Sequence, residues 1–373
     1  MALSKISNDM FTTISRPNVS PIIINGNQSV SQRTTSVAMS NGIYCTDRYK
    51  HAISNDGAAT ITQESLSSGS AFTDGFANAL KIDVTTADSS LSSAQHYFIR
   101  YSIEGQDIQN IKKGTASAEK LTLAFWVKAT KTGTNIVRIY TADSDRSCSV
   151  AYTVSSSDTW EKKILNFPVD TTGTVIADDN TVGMQIDWGV AAGSNYTSGT
   201  LATAWASNTS ANDFVGQVNN LDSTSNNFHI TGIQLEIGEF SSTSIPPFQH
   251  EVFTDNLKRC QRYYETTFDY GTAIGSSTSV GMIRSGGNQG GRTSGRMGHS
   301  HTYHTLKRAV PTVTFYDNSG NEGSCARIDQ GSSTGSDKNM GVATGARTNV
   351  QVTSTGDSTA DVMVYHFTAE AEL

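Results

Sequence analysis

Apolar residues recur along this chain at every second position, in short runs separated by Ser, Thr, Gly and Asp. In "ALKIDVTT", Leu80, Ile82 and Val84 share one face while Lys81 and Asp83 take the other, the pattern of a half-buried strand. The same alternation groups Tyr97, Ile99, Tyr101 and Ile103, then Leu121, Leu123, Phe125 and Val127, and later Val182, Met184, Ile186, Trp188 and Val190. "NIVRIY", "SVAYTV" and "KKILNFPV" add further strands. No helical period intervenes, so an antiparallel β-sandwich is predicted rather than βαβ units, and residues 21–250 suit a decorated jelly roll. In its final strand, "ITGIQLEIG", the set Ile233, Leu235 and Ile237 is out of phase with Phe228 and Ile230. Gly232 is therefore expected at a bulge.

Pro246 and Pro247 cannot donate to a ladder and end the sandwich. A single helix is predicted from about Thr254 to Thr266, capped by Thr254 or Asp255, with Leu257, Cys260 and Tyr264 on one face and Tyr263 beside them. A helix this short is marginal alone, so residues 251–268 read as a linker whose apolar stripe lies at a subunit or domain junction. Residues 269–373 begin Gly- and Ser-rich and return to strand signals in "PTVTFYDNSG" and "DVMVYHFTAEAEL", with a turn at Asp317-Asn318-Ser319-Gly320. The expected architecture is all-β: a jelly-roll β-sandwich, a short linking helix and a smaller C-terminal β domain. Residues 1–20, with Leu3, Ile6 and Met10 spaced for one turn, read as an N-terminal arm or tether.

Composition narrows the function classes. Charged residues are only 16% of the chain and the net charge is -7, which argues against a nucleic-acid groove and against an anionic membrane surface. The most apolar run, "LTLAFWV", is too short to span a bilayer, and the first residues lack an apolar leader, so a soluble chain made in the cytosol is expected. Cys45, Cys148, Cys260 and Cys325 are scattered without metal spacing; buried reduced thiols are expected, with a Cys45–Cys148 pairing left open.

Candidate chemistry is sparse. Trp126, Trp160 and Trp205 are candidates for stacking on sugar rings, Trp160 because it starts its strand out of phase and is expected to be exposed, whereas Trp188 reads as core. Gly356-Asp357-Ser358 matches a block of Ser esterases but lacks that fold context and the downstream His spacing, so a surface turn is expected. His299 and His301 would point the same way on a strand, as metal ligands do, yet no carboxylate is near in sequence to orient them, and no metal is expected. No catalytic residue and no cofactor is assigned.

Four blocks carry a resemblance to a known family: "IIINGNQSVSQRTTS" with "YCTDRYKH" near the start; "ITGIQLEIG", "PPFQH" and "LKRCQRYYE" in mid-chain; "LKRAVPTVTFYDNSG"; and the terminal "YHFTAEAEL". Together they resemble tailed-bacteriophage tail fibre or minor tail structural proteins, over nearly the whole chain. The departures are Asn-Gln-Ser in the opening, where an apolar residue is usual, and Tyr49 where Trp is common. The resemblance implies a non-enzymatic virion appendage with a carbohydrate-binding-module-like jelly roll. It would be assembled in the host cytoplasm as a homotrimer, would contact other tail or capsid proteins, and would attach to host cell-surface polysaccharide. A capsid-decorating or architectural virion protein, and a carbohydrate-binding module of a secreted polysaccharide-degrading system, are the alternatives.

Overall fold

The computed structural model describes residues 20–286, 297–328, 338–354 and 362–373. The chain is all-β and divides into two compact units. The first holds β1 (Ser36–Ala38), β2 (Tyr49–Ser54), β3 (Ala58–Ser65), β4 (Asn78–Thr86), β5 (His96–Glu104), β6 (Leu121–Ala129), β7 (Gly133–Thr141), β8 (Arg146–Val154), β9 (Glu161–Phe167), β10 (Val182–Ala192), β11 (Ala206–Ser207) and β12 (Asn227–Ile237). They form two six-stranded antiparallel sheets, in the orders β1-β3-β4-β12-β6-β9 and β11-β8-β7-β10-β5-β2. The inward positions are those the alternation marks. Leu80, Ile82, Leu123 and Phe125 from one sheet share a buried core with Tyr97, Ile99, Ile139, Ile186 and Trp188 from the other. The Phe125 ring meets Trp188 edge-on at 6.0 Å, locking the two layers together.

The bulge expected at Gly232 is present. The β12–β6 register shifts between Thr231 and Gln234. Gly232 has φ 61, and a Cβ there would lie 2.7 Å from the Phe76 ring. Only glycine satisfies both conditions. The four cysteines are buried and unbridged.

The second unit comprises Val252–Leu373 together with Val30–Thr35 and Thr46–Arg48. Its helix spans Phe253–Gln261, shorter than expected, with Val252 at the N-cap and no side-chain cap from Thr254 or Asp255. The chain turns at Arg262 and enters β13 (Tyr264–Thr266), which pairs with β20 (Val362–Glu370). Tyr264 therefore lies on a strand, because a ladder to β20 satisfies its backbone better than another turn of a marginal helix. β14 (Ile283–Gly286), β15 (Met297–Thr302), β16 (Thr312–Tyr316), β17 (Ser324–Ile328), β18 (Lys338–Gly345) and β19 (Asn349–Ser354) complete the sheet, with β13, β14, β16 and β17 all pairing with β20. Its core gathers Phe315, Val350, Val352, Met363, Tyr365 and Phe367.

The early segments are built into this unit by charge and aromatic faces. The Arg48 guanidinium stacks 3.3 Å from the Tyr263 ring centroid and donates to Glu372, while Arg33 stacks 3.7 Å from Tyr264. Gln32 donates to Asp47 and, at 2.9 Å, to the Tyr264 carbonyl. Residues from the opening, mid-chain and terminal blocks of the sequence thus meet in one cluster. No helix among the described residues is long and apolar enough to cross a membrane.

Candidate functional site

On the second sheet of the sandwich, the inward direction of Ile99, Ile139 and Ile186 turns the intervening residues outward. Antiparallel register then aligns them across four strands. Lys50 on β2 faces Arg100 on β5, Arg100 faces Asp187 on β10, and Asp187 faces Arg138 on β7. One row along, Gln185 faces both Ser102 and Tyr140.

Asp187 ties the row together. Arg100 grips Asp187 with two donors, Nε to Oδ1 at 2.8 Å and Nη2 to Oδ2 at 3.1 Å. Arg138 gives Nη2 to Asp187 Oδ2 at 2.5 Å and Nη1 to Asp213 Oδ2 at 2.5 Å, and the Ser147 hydroxyl donates to Asp213 at 3.0 Å. Burial alone would raise the Asp187 carboxyl, but Arg138 and Arg100 outweigh it and hold this group below the ordinary carboxylate range. At Asp213 burial prevails over Arg138 and the group is raised. Such forks fix the guanidinium planes; breaking one partner of a buried pair costs about 3–5 kcal/mol.

A loop forms one wall beside this row. Phe214 stacks on Phe98 at 4.2 Å with an interplanar angle of 9°, and Tyr196 meets Phe98 edge-on at 5.5 Å. Lys50, Arg100, Gln185 and Tyr140 are each partly exposed, with the Tyr140 hydroxyl directed to Asp145 at 3.2 Å. The face combines an aromatic ring with rigid, pre-set donors and acceptors, which suits a ligand with one apolar face and many hydroxyls.

The tryptophans proposed from sequence lie elsewhere. Trp160 is 8% exposed, not open as expected, because residues 69–76 form a layer over its outward position and bring Gly69 against its ring. Trp126 is half-buried, its Nε1 donating to Asp74 at 3.0 Å and Lys162 Nζ lying 5.9 Å from its ring centroid. Trp205 packs against the sandwich core and donates to the Pro168 carbonyl at 2.8 Å. Trp188 is core, as expected.

In the second unit, Cys260, Tyr263 and Tyr264 are buried and Leu257 is half-buried. Arg48 and Arg33 lie over the two tyrosine rings. His299 and His301 do share a face of β15, beside Tyr365 and Phe367 respectively. Contrary to the sequence reading, a carboxylate is close: Glu265 Oε1 lies 3.9 Å from His301 Nε2 and 2.6 Å from His304 Nδ1. Burial would raise Glu265, but His301, Lys307 and His304 prevail and bring it down to about 2. Among the described residues no group of three or more His, Cys, Asp or Glu could hold a metal ion. Gly356-Asp357-Ser358 and the N-terminal arm over residues 1–19 lie outside the described residues.

Sequence reasoning missed the Arg100–Asp187–Arg138 row. A signal was present: "YFIRYSI", "NIVRIY" and "MQIDWG" each carry one charge at the centre of an apolar strand. Two arginines and one aspartate so placed predict pairing on an outer face.

No known family profile matches the chain, and no curated protein matches it. Among solved structures, it is similar to a putative sugar binding protein from Bacteroides thetaiotaomicron, with 14% identity over 58% of this chain and 100% of that one, at a TM-score of 0.30. It is also similar to the family 11 carbohydrate-binding module of the cellulosomal cellulase Lic26A-Cel5E of Clostridium thermocellum, with 13% identity over 57% and 98% and a TM-score of 0.28. A third is the enzymatically active domain of tailspike protein 4 of bacteriophage CBA120, with 13% identity, 58% of this chain covered and a TM-score of 0.26. The match spans 21% of that tailspike chain.

Proposed function

We propose that this protein is a non-enzymatic phage tail fibre or tail-associated virion protein whose jelly roll binds host-surface glycan on the outer face of its second sheet. The observation that carries the glycan reading is the Arg100–Asp187–Arg138 row beside partly exposed Tyr140 and Gln185. A pyranose presents a C–H face that stacks on an aromatic ring such as Tyr140 and hydroxyls that bond to fixed polar groups, here Gln185 and the partly exposed Arg100 that Asp187 holds in place. Because the forks are already locked by Asp187, little side-chain entropy is lost on binding. The virion placement rests on the sequence blocks that resemble tail proteins, and homotrimerisation would add avidity to weak single contacts.

Affinity electrophoresis through gels of neutral bacterial and plant polysaccharides tests the glycan reading. The wild type should be retarded in at least one, and Tyr140→Ala or Arg100→Ala should weaken that binding about tenfold. Unchanged retardation of both variants would move the site to another face. Antibody-gold labelling of particles tests the placement: label confined to the capsid shell would favour the capsid-decorating reading instead.

A further inference from the structure

We propose that Asp213 is the specificity determinant of this face, keeping it electrically neutral so that it takes neutral sugars and refuses acidic ones. The inference rests on the glycan reading above but concerns a residue outside the sheet. Asp213 comes from the segment that carries Phe214, beyond β11, and takes Nη1 of Arg138 while Asp187 takes Nη2.

The charges decide the matter. Arg100 and Arg138 supply two positive charges, and Asp187 and Asp213 two negative ones, all linked by bonds of 2.5–3.1 Å. A guanidinium held between two carboxylates has little field left for a third. Asp213 is 0% exposed and so acts where water screens poorly. The Arg138 guanidinium carbon is 5.5 Å from the Tyr140 ring centroid, so any unbalanced charge there lies directly beneath the surface a sugar would occupy. Lys50, facing Arg100 in register, and Asp145, bonded to Tyr140, are further charges beside it and oppose each other in sign.

Removing the Asp213 charge alone should therefore turn a neutral face positive. Asp213→Asn keeps the shape and the bond from Ser147 while leaving Arg138 with one carboxylate. In polygalacturonate gels the wild type should run unretarded. Asp213→Asn should be retarded, with affinity raised about tenfold, as expected for one extra charge at this depth. Adding Arg138→Gln to it should abolish the gain. Asp213→Ser serves as a second variant should the asparagine form misfold, with near-ultraviolet circular dichroism confirming the native state of each.

Polygalacturonate binding by the wild type stronger than its binding to neutral gels overturns the proposal. So does a folded Asp213 variant that remains unretarded. These outcomes are distinct from failure of the glycan reading itself, which would show as a wild type retarded by no polysaccharide of either kind.

Discussion

His51 shows what one buried residue imposes on the sandwich. It lies on the inward side of β2, wholly buried, with Nδ1 2.7 Å from the Tyr97 hydroxyl, and burial holds its imidazole down at about 3 instead of 6.5. The unfolded chain takes up this proton below about pH 6.5 while the fold refuses it until about pH 3. The folded-state value is depressed, so stability is lost as pH falls through that window, at about 1.4 kcal/mol per pH unit. Between pH 6.5 and 5, above the carboxylate range, urea midpoints should fall with pH in the wild type and fall less steeply in His51→Phe, where His229, His299 and His366, also depressed by burial, still contribute. A wild type with a flat profile would show that His51 is hydrated. Glu265 acts lower on the scale: with its carboxyl at about 2 against 4.5, its contribution is whole above pH 4.5 and lost on the way down to pH 2. The inward side of His51 was legible in "YKHAIS", where it alternates with Tyr49 and Ile53. Its polar partner was not, because Tyr97 lies on another strand and alternation carries no information about register.

At the scale of elements, the sequence spoke clearly where a local rule had only one solution. Strand faces at Leu80, Ile99, Phe125 and Ile186 follow directly from period two. So does the Gly232 bulge, where the phase of the pattern slips. Gly232→Ala should then cost about 2 kcal/mol or more, since the new methyl meets the Phe76 ring in a backbone conformation with φ 61 that alanine disfavours. The altered contact should also shift the emission of Trp126, which lies 3.0 Å from the same Cβ position. A substitution that leaves both the urea midpoint and the emission unchanged would mean that the bulge relaxes to another register. Trp160 was harder to place, because its exposure depends on a second layer laid over an outward face, and strand phase reports only the first. The helix end was misplaced for a similar reason: Tyr264 has helical spacing with Leu257 and Cys260, but β20, about a hundred residues later, supplies a better partner for its backbone.

For the whole molecule, the division into units departs from chain order in a way that no local pattern announces. The second unit draws Val30–Thr35 and Thr46–Arg48 from the opening of the chain, far from the rest of it in sequence. Their contribution is specific. Arg48 and Arg33 lie over Tyr263 and Tyr264, Asp47 receives Gln32, and Glu372 receives Arg48. Desolvated cation–π contacts of this kind are worth about 2 kcal/mol each, a large share of the stability of a unit of this size. Arg33 and Arg48 from the opening of the chain, Tyr263 and Tyr264 from "LKRCQRYYE" and Glu372 from the chain end meet in one cluster, a meeting that strand and helix periods do not report. Residues 252–373 expressed alone should therefore lack a cooperative melt, with both tyrosine faces uncovered and Glu372 deprived of its arginine. In the full chain, Arg48→Ala should lower the stability of the second unit by about 2 kcal/mol and leave the pH response of His51 in the first unit intact. Calorimetry distinguishes the outcomes: a fragment that melts as sharply and as high as the second unit in the intact protein would show that the early segments decorate this unit rather than complete it.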